Sequence, residues 1–70
     1  MKIVMYPEFE SSVILNVVKV PVIGEEIILK GEKSDKLYLV KMVRQIGYCF
    51  DVPDDAILIE VHVSFVCYLR

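Results

Sequence analysis

From Ala56 to Leu69 apolar and polar side chains alternate. Ile57, Ile59, Val61, Val63, Phe65, Cys67 and Leu69 fall on one face. Leu58, Glu60, His62, Ser64, Val66 and Tyr68 fall on the other. Successive side chains of a strand point to opposite faces, so the run predicts a strand over residues 56–69 with an unbroken apolar face. Fourteen residues is long for one strand, so it bends or runs past the domain to pair with another chain. Residues 1–6 predict a strand that Pro7, lacking a backbone donor, either ends or marks as an edge. Residues 13–20 read VILNVVKV. Both of their faces are largely apolar: Val13, Leu15, Val17 and Lys19 on one, Ile14, Asn16, Val18 and Val20 on the other. Such a strand is covered on both sides or bulged.

Residues 27–30 predict a short third strand and residues 37–46 a long fourth. In the fourth, Tyr38, Val40 and Met42 share a face against Leu39, Lys41 and Val43. Strict alternation would place Arg44 beside Met42 and Ile46, so a bulge near Val43 is expected. Leu39, Met42, Val43 and Ile46 also satisfy helical spacing, but β-branched runs elsewhere weigh against a helical fold. Polar stretches separate the strands: residues 8–12 with Ser11 and Ser12, residues 21–26 with Pro21 and Gly24, GEKSDK at 31–36, and DVPDD at 51–55.

Composition narrows the class. Seventy residues make a single domain, 1–70. Val and Ile account for 20 of them, a bias toward pleated, packed surfaces. The expected fold is all-β: a small five-stranded antiparallel barrel or strongly curled sheet, since closure hides edges that recruit other chains. The run VPVIGEEIILKGEKSDKLYLVKMV at 20–43 places Pro, Gly, a short strand, a polar loop and Tyr-x-Val in order. In this it resembles small SH3-like β-barrel proteins. The resemblance covers about a third of the chain; it implies a barrel and carries no activity with it.

Hydrophobic residues make up 56% of the chain, more than the thin core of so short a chain needs. The surplus predicts self-association, a homo-oligomer with a symmetric dimer favoured, or another protein partner. Val13, Leu15, Val17, Leu58, Val66 and Tyr68 are the candidate contact residues. A net charge of −2 gives no general attraction to nucleic acid or anionic lipid. No apolar run reaches the length of a membrane-spanning helix, and residues 1–6 are too short for a signal peptide. Cys49 and Cys67 are expected as free thiols in a cytoplasmic protein, with Cys67 buried beside Phe65 and Leu69.

Chemistry finds little purchase. Cys49, Cys67 and His62 lack the paired spacing of a metal site. His62 and Ser64 share a strand face, but two residues alone do not make a nucleophilic site. Glu8 with Glu10, Glu25 with Glu26, and Asp54 with Asp55 read as solvated turn carboxylates. GEKSDK lacks the glycine cradle of a phosphate loop. No enzyme activity and no cofactor are expected. Residues 30–44 carry five basic and two acidic side chains. Lys30, Lys33, Lys36, Tyr38, Lys41 and Arg44 are therefore the candidate contacts of an alternative reading, a small nucleic-acid-binding barrel. The leading expectation is a non-catalytic structural or protein-interaction module that self-associates.

Overall fold

The computed structural model describes residues 1–69. Its five strands are β1 (Lys2–Pro7), β2 (Val13–Asn16), β3 (Glu26–Leu29), β4 (Asp35–Gln45) and β5 (Ile59–Leu69). They form one sheet in the order β2-β1-β5-β4-β3. Neighbours are antiparallel except β1 and β5, which run parallel. This departs from the antiparallel expectation, and the chain's path explains it. Direction reverses at each of the four connections, so β5 regains the direction of β1 and docks along its free side.

The core lies on one face of the sheet. Ile3 and Met5 of β1, Tyr38 and Val40 of β4, and Val61 and Val63 of β5 are buried there. Val13, Leu15 and Val17 pack against this cluster from one edge, and Ile27 and Leu29 from the other. One sheet whose two edges cover the same core must curl strongly. The edges do not pair with each other, so the fold is a curled, open sheet rather than a closed barrel. Each fully buried aliphatic side chain contributes about 1.5–3 kcal/mol relative to exposure.

Two bulges set which side chains face inward. The β4–β5 register shifts between Val40 and Met42, at Lys41. Val43 thereby joins Val40 on the core side opposite Val61, and Met42 turns outward opposite His62. The expected bulge exists, two residues earlier than the alternation placed it. A second shift, between Leu37 and Tyr38, leaves Val66 as the extra residue of β5. It breaks the apolar face read across residues 57–69: Tyr68 joins the side of Phe65, and Cys67 turns away opposite Leu37. Cys67 is exposed, which corrects its expected burial.

Other boundaries differ for local reasons. β2 spans Val13–Asn16 instead of running to Val20, and just beyond it Val17 N–H donates to the Met1 carbonyl at 2.8 Å. Residues 56–58 precede β5: Ala56 N–H donates to the Pro53 carbonyl at 3.1 Å, and the Leu58 carbonyl accepts from Ile46 N–H at 2.7 Å. Pro7 closes β1, an inner strand. In the polar loop after β3 the Asp35 carboxylate accepts from Lys30 Nζ at 2.9 Å and from Gly31 N–H. A Cβ at Gly31 would run into the Ser34 carbonyl oxygen, which is why glycine stands there.

Candidate functional site

The richest cluster lies where β1 turns into β2, beside the last residues of β5. β1 pairs with β5 only as far as Val63, so beyond it β5 keeps β4 on one side alone. The turn between the hairpin strands fills part of the gap. Glu8 N–H donates to the Val63 carbonyl at 3.2 Å, and Ser64 Oγ donates to Glu8 Oε1 at 3.1 Å. The turn is closed by Glu10 N–H on the Pro7 carbonyl. At its tip Phe9 holds a φ of 61° with its ring fully in solvent. Left-handed backbone at a bulky residue is a genuine outlier.

Glu10 ties the turn to β4. Its carboxylate accepts from Tyr38 Oη at 2.9 Å and from Lys36 Nζ at 3.2 Å. The Tyr38 hydrogen bond, then the Lys36 contact, hold the Glu10 carboxyl below its ordinary value. The same link pushes Lys36 up, while burial, then Glu10, raises Tyr38. Phe65 packs edge-on against Tyr38 at 5.7 Å and against Tyr68 at 5.0 Å between ring centroids. Lys36 Nζ stands 5.9 Å from the centre of the Tyr68 ring. Glu8, Phe9, Glu10, Lys36, Phe65 and Tyr68 line an open notch of about 260 Å³.

Of the basic-region candidates, the structure brings Lys36 and Tyr38 to this cluster. Tyr38 is 1% exposed, its ring in the core, so it offers no stacking surface. Lys30 is paired with Asp35. Lys33 and Lys41 are exposed, the latter at the bulge, and Arg44 lies opposite Glu60 on the outer face. These cations do not share one aromatic face. Of the contact candidates, Val13, Leu15 and Val17 face the core. Leu58 is half-buried and borders a second depression with Met1, Val20 and Ala56. Val66 and Tyr68 are exposed.

His62 and Ser64 are not partnered: the imidazole stacks on Tyr6 at 5.0 Å with Glu60 beside it, and the hydroxyl serves Glu8. Among the described residues no group of three or more His, Cys, Asp and Glu side chains could hold a metal ion. Glu8 and Glu10, expected as solvated turn carboxylates, are both exposed, and each also accepts side-chain hydrogen bonds. Phe9 and Phe65 were not among the candidates. An aromatic between two glutamates inside a polar turn was the available signal for Phe9.

The strand edges differ as well. Met1 and Val17 exchange backbone hydrogen bonds, 2.8 Å one way and 3.1 Å the other. Antiparallel ladders alternate bonded and non-bonded pairs. Leu15 with Ile3 and Val13 with Met5 are therefore bonded pairs, and Ile14 and Asn16 direct their N–H and C=O groups to the open side of β2. Residues 11–18 (SSVILNVV) contain no charge and no Pro. β3, the opposite edge, begins at Glu26 and is followed by Lys30. Comparison with known protein families, curated proteins and solved structures finds no match for the chain.

Proposed function

We propose that the protein is a non-catalytic interaction module that self-associates, and that a second copy pairs along the open edge of β2 to give a symmetric dimer. One observation carries this reading: an edge strand with outward backbone groups and no charge or proline from Ser11 to Val18. Edges built to stay single are blunted with such residues. Antiparallel pairing of β2 with its own copy meets no like-charge contact. It would also cover Ile14 and Val18, which are 60% and 100% exposed. The strand is four residues long, and each new backbone hydrogen bond contributes about 0.5–1.5 kcal/mol net. A weak dimer, in the high-micromolar range, is the scale to expect. We read the kinship with SH3-like barrels as one of architecture. The setting is a reducing, cytoplasmic one in which Cys49 and Cys67 stay free thiols.

Nothing in the geometry favours nucleic-acid binding over this reading. The test is sedimentation of the wild type, Ile14→Lys, Val66→Lys and Ile28→Lys at equal high-micromolar concentration. The wild type and Ile28→Lys, altered on the β3 edge, should sediment as dimers and Ile14→Lys as a monomer. A monomeric wild type would end the proposal. A dimer that survives Ile14→Lys but not Val66→Lys would move the contact to the exposed end of β5.

A further inference from the structure

The notch beside the β1–β2 turn has a chemical bias that edge pairing does not use. It is lined by three aromatic residues, Phe9, Phe65 and Tyr68, and three charged ones, Glu8, Glu10 and Lys36, with the Phe9 ring standing free at its rim. Two carboxylates against one ammonium leave it with a net charge of −1. The charges are unevenly satisfied. Glu10 already has Lys36 at 3.2 Å and the Tyr38 hydroxyl at 2.9 Å. Glu8 has the Ser64 hydroxyl on Oε1 and, among the described residues, no cation.

The molecule itself demonstrates the chemistry. Lys36 sets its ammonium near the face of Tyr68 while pairing with a carboxylate. Cations are attracted to ring faces within about 6 Å. An anionic ligand would meet two carboxylates. A purely apolar one would strip water from Glu8 and return no hydrogen bond, which is costly. A planar cation meets both demands, stacking on aromatic faces and donating to a carboxylate through its fork of N–H groups. Phe9 is the second indication. Its ring is fully exposed on left-handed backbone. Strain of this kind clusters at binding sites, where it is part of the device.

We infer that the notch seats the guanidinium of an arginine displayed by a protein partner, stacked among Phe9, Phe65 and Tyr68 with Glu8 as its counter-ion. The site is independent of β2 pairing, since its lining comes from the turn, β4 and β5.

The test is a chemical-shift titration of the full chain with acetyl-Gly-Arg-Gly amide, its citrulline counterpart and free L-arginine. It is repeated in the Ile14→Lys background, so that the fate of the dimer does not enter. The arginine peptide should shift the amides of Glu8, Phe9, Glu10, Ser64, Phe65 and Tyr68 in a saturable way at millimolar concentration. Citrulline, neutral and of similar shape, should not. Glu8→Gln should weaken binding by about fivefold or more, the loss of a charge-assisted bond. Phe9→Gly, which relieves the positive φ, should weaken binding without lowering the melting temperature. Equal shifts with arginine and citrulline, shifts confined to other surfaces, or none below about 10 mM, the scale of very weak single-residue recognition, would overturn the proposal. Tighter binding of free arginine than of the peptide would overturn the protein partner in favour of a small molecule.

Discussion

Residues 60–63 of β5 lie between β1 and β4; residues 65–69 have β4 on one side and the β1–β2 turn below. In the first half Val61 and Val63 are 0% and 1% exposed, enclosed by Met5 and Pro7 on one flank and Val43 and Val40 on the other. In the second half Phe65, Val66 and Tyr68 are 41%, 50% and 65% exposed. Composition does not separate them, since both halves are mostly apolar. What separates them is the number of flanking strands and one inserted residue, Val66, which re-aims everything after it. The inner half holds the fold together, and the outer half leaves apolar and aromatic surface exposed.

The strongest challenge to this contrast is a charge in each half. Val61→Asp places a carboxylate with no cation among fully buried side chains and should cost several kcal/mol, enough to unfold so small a domain. Val66→Asp should cost less than about 0.5 kcal/mol. Thermal melts followed by circular dichroism decide the matter, and comparable losses for the two would erase the distinction.

A smaller effect probes the link that joins the halves through the turn. Tyr38→Phe removes the hydroxyl that donates to Glu10 and should cost about 1 kcal/mol, the scale of one such bond at a partly exposed carboxylate. It should also change the acid response. The folded Glu10 carboxyl sits below its ordinary value, so its contribution is fully present above the unfolded carboxylate range and is lost as pH falls through the folded value. In Tyr38→Phe that contribution is smaller, and the gap in stability from wild type should narrow as pH drops through this window. Denaturant melts from neutral pH to pH 2 would show it; a gap that stays constant would remove Glu10 from the account.

Much of the architecture was legible because it is local. The β-branched density, the polar loop at 31–36 and the turn around Pro53 mark five strands at nearly their observed places. The two bulges were harder. Lys41 left a trace, since Arg44 would otherwise have fallen among apolar neighbours. Val66 left none, because alternation continues through it without a polar residue out of place. The parallel pairing of β1 with β5 is a contact between the ends of the chain, and no nearby residue encodes it. The notch suffers from the same difficulty: Glu8, Lys36 and Phe65 converge only after the sheet curls. Its one local sign was Phe9 in a polar turn.

The mildest consequence concerns reactivity. With Cys67 turned outward by the bulge and Cys49 in the loop after β4, both thiols are exposed. Both should react promptly with a thiol reagent in the folded protein. One prompt and one slow thiol would place Cys67 back on the apolar face and deny the bulge.

The claim that β2 pairs with a second copy is tested most directly at two backbone amides. Ile14 and Asn16 direct their N–H groups away from β1, so in a lone chain they exchange freely with water. Amide hydrogen exchange followed by NMR, at low and at high micromolar concentration, should show both becoming protected as concentration rises, while the Leu15 amide, bonded to β1, changes far less. Exchange at Ile14 and Asn16 that is fast and independent of concentration would contradict the account.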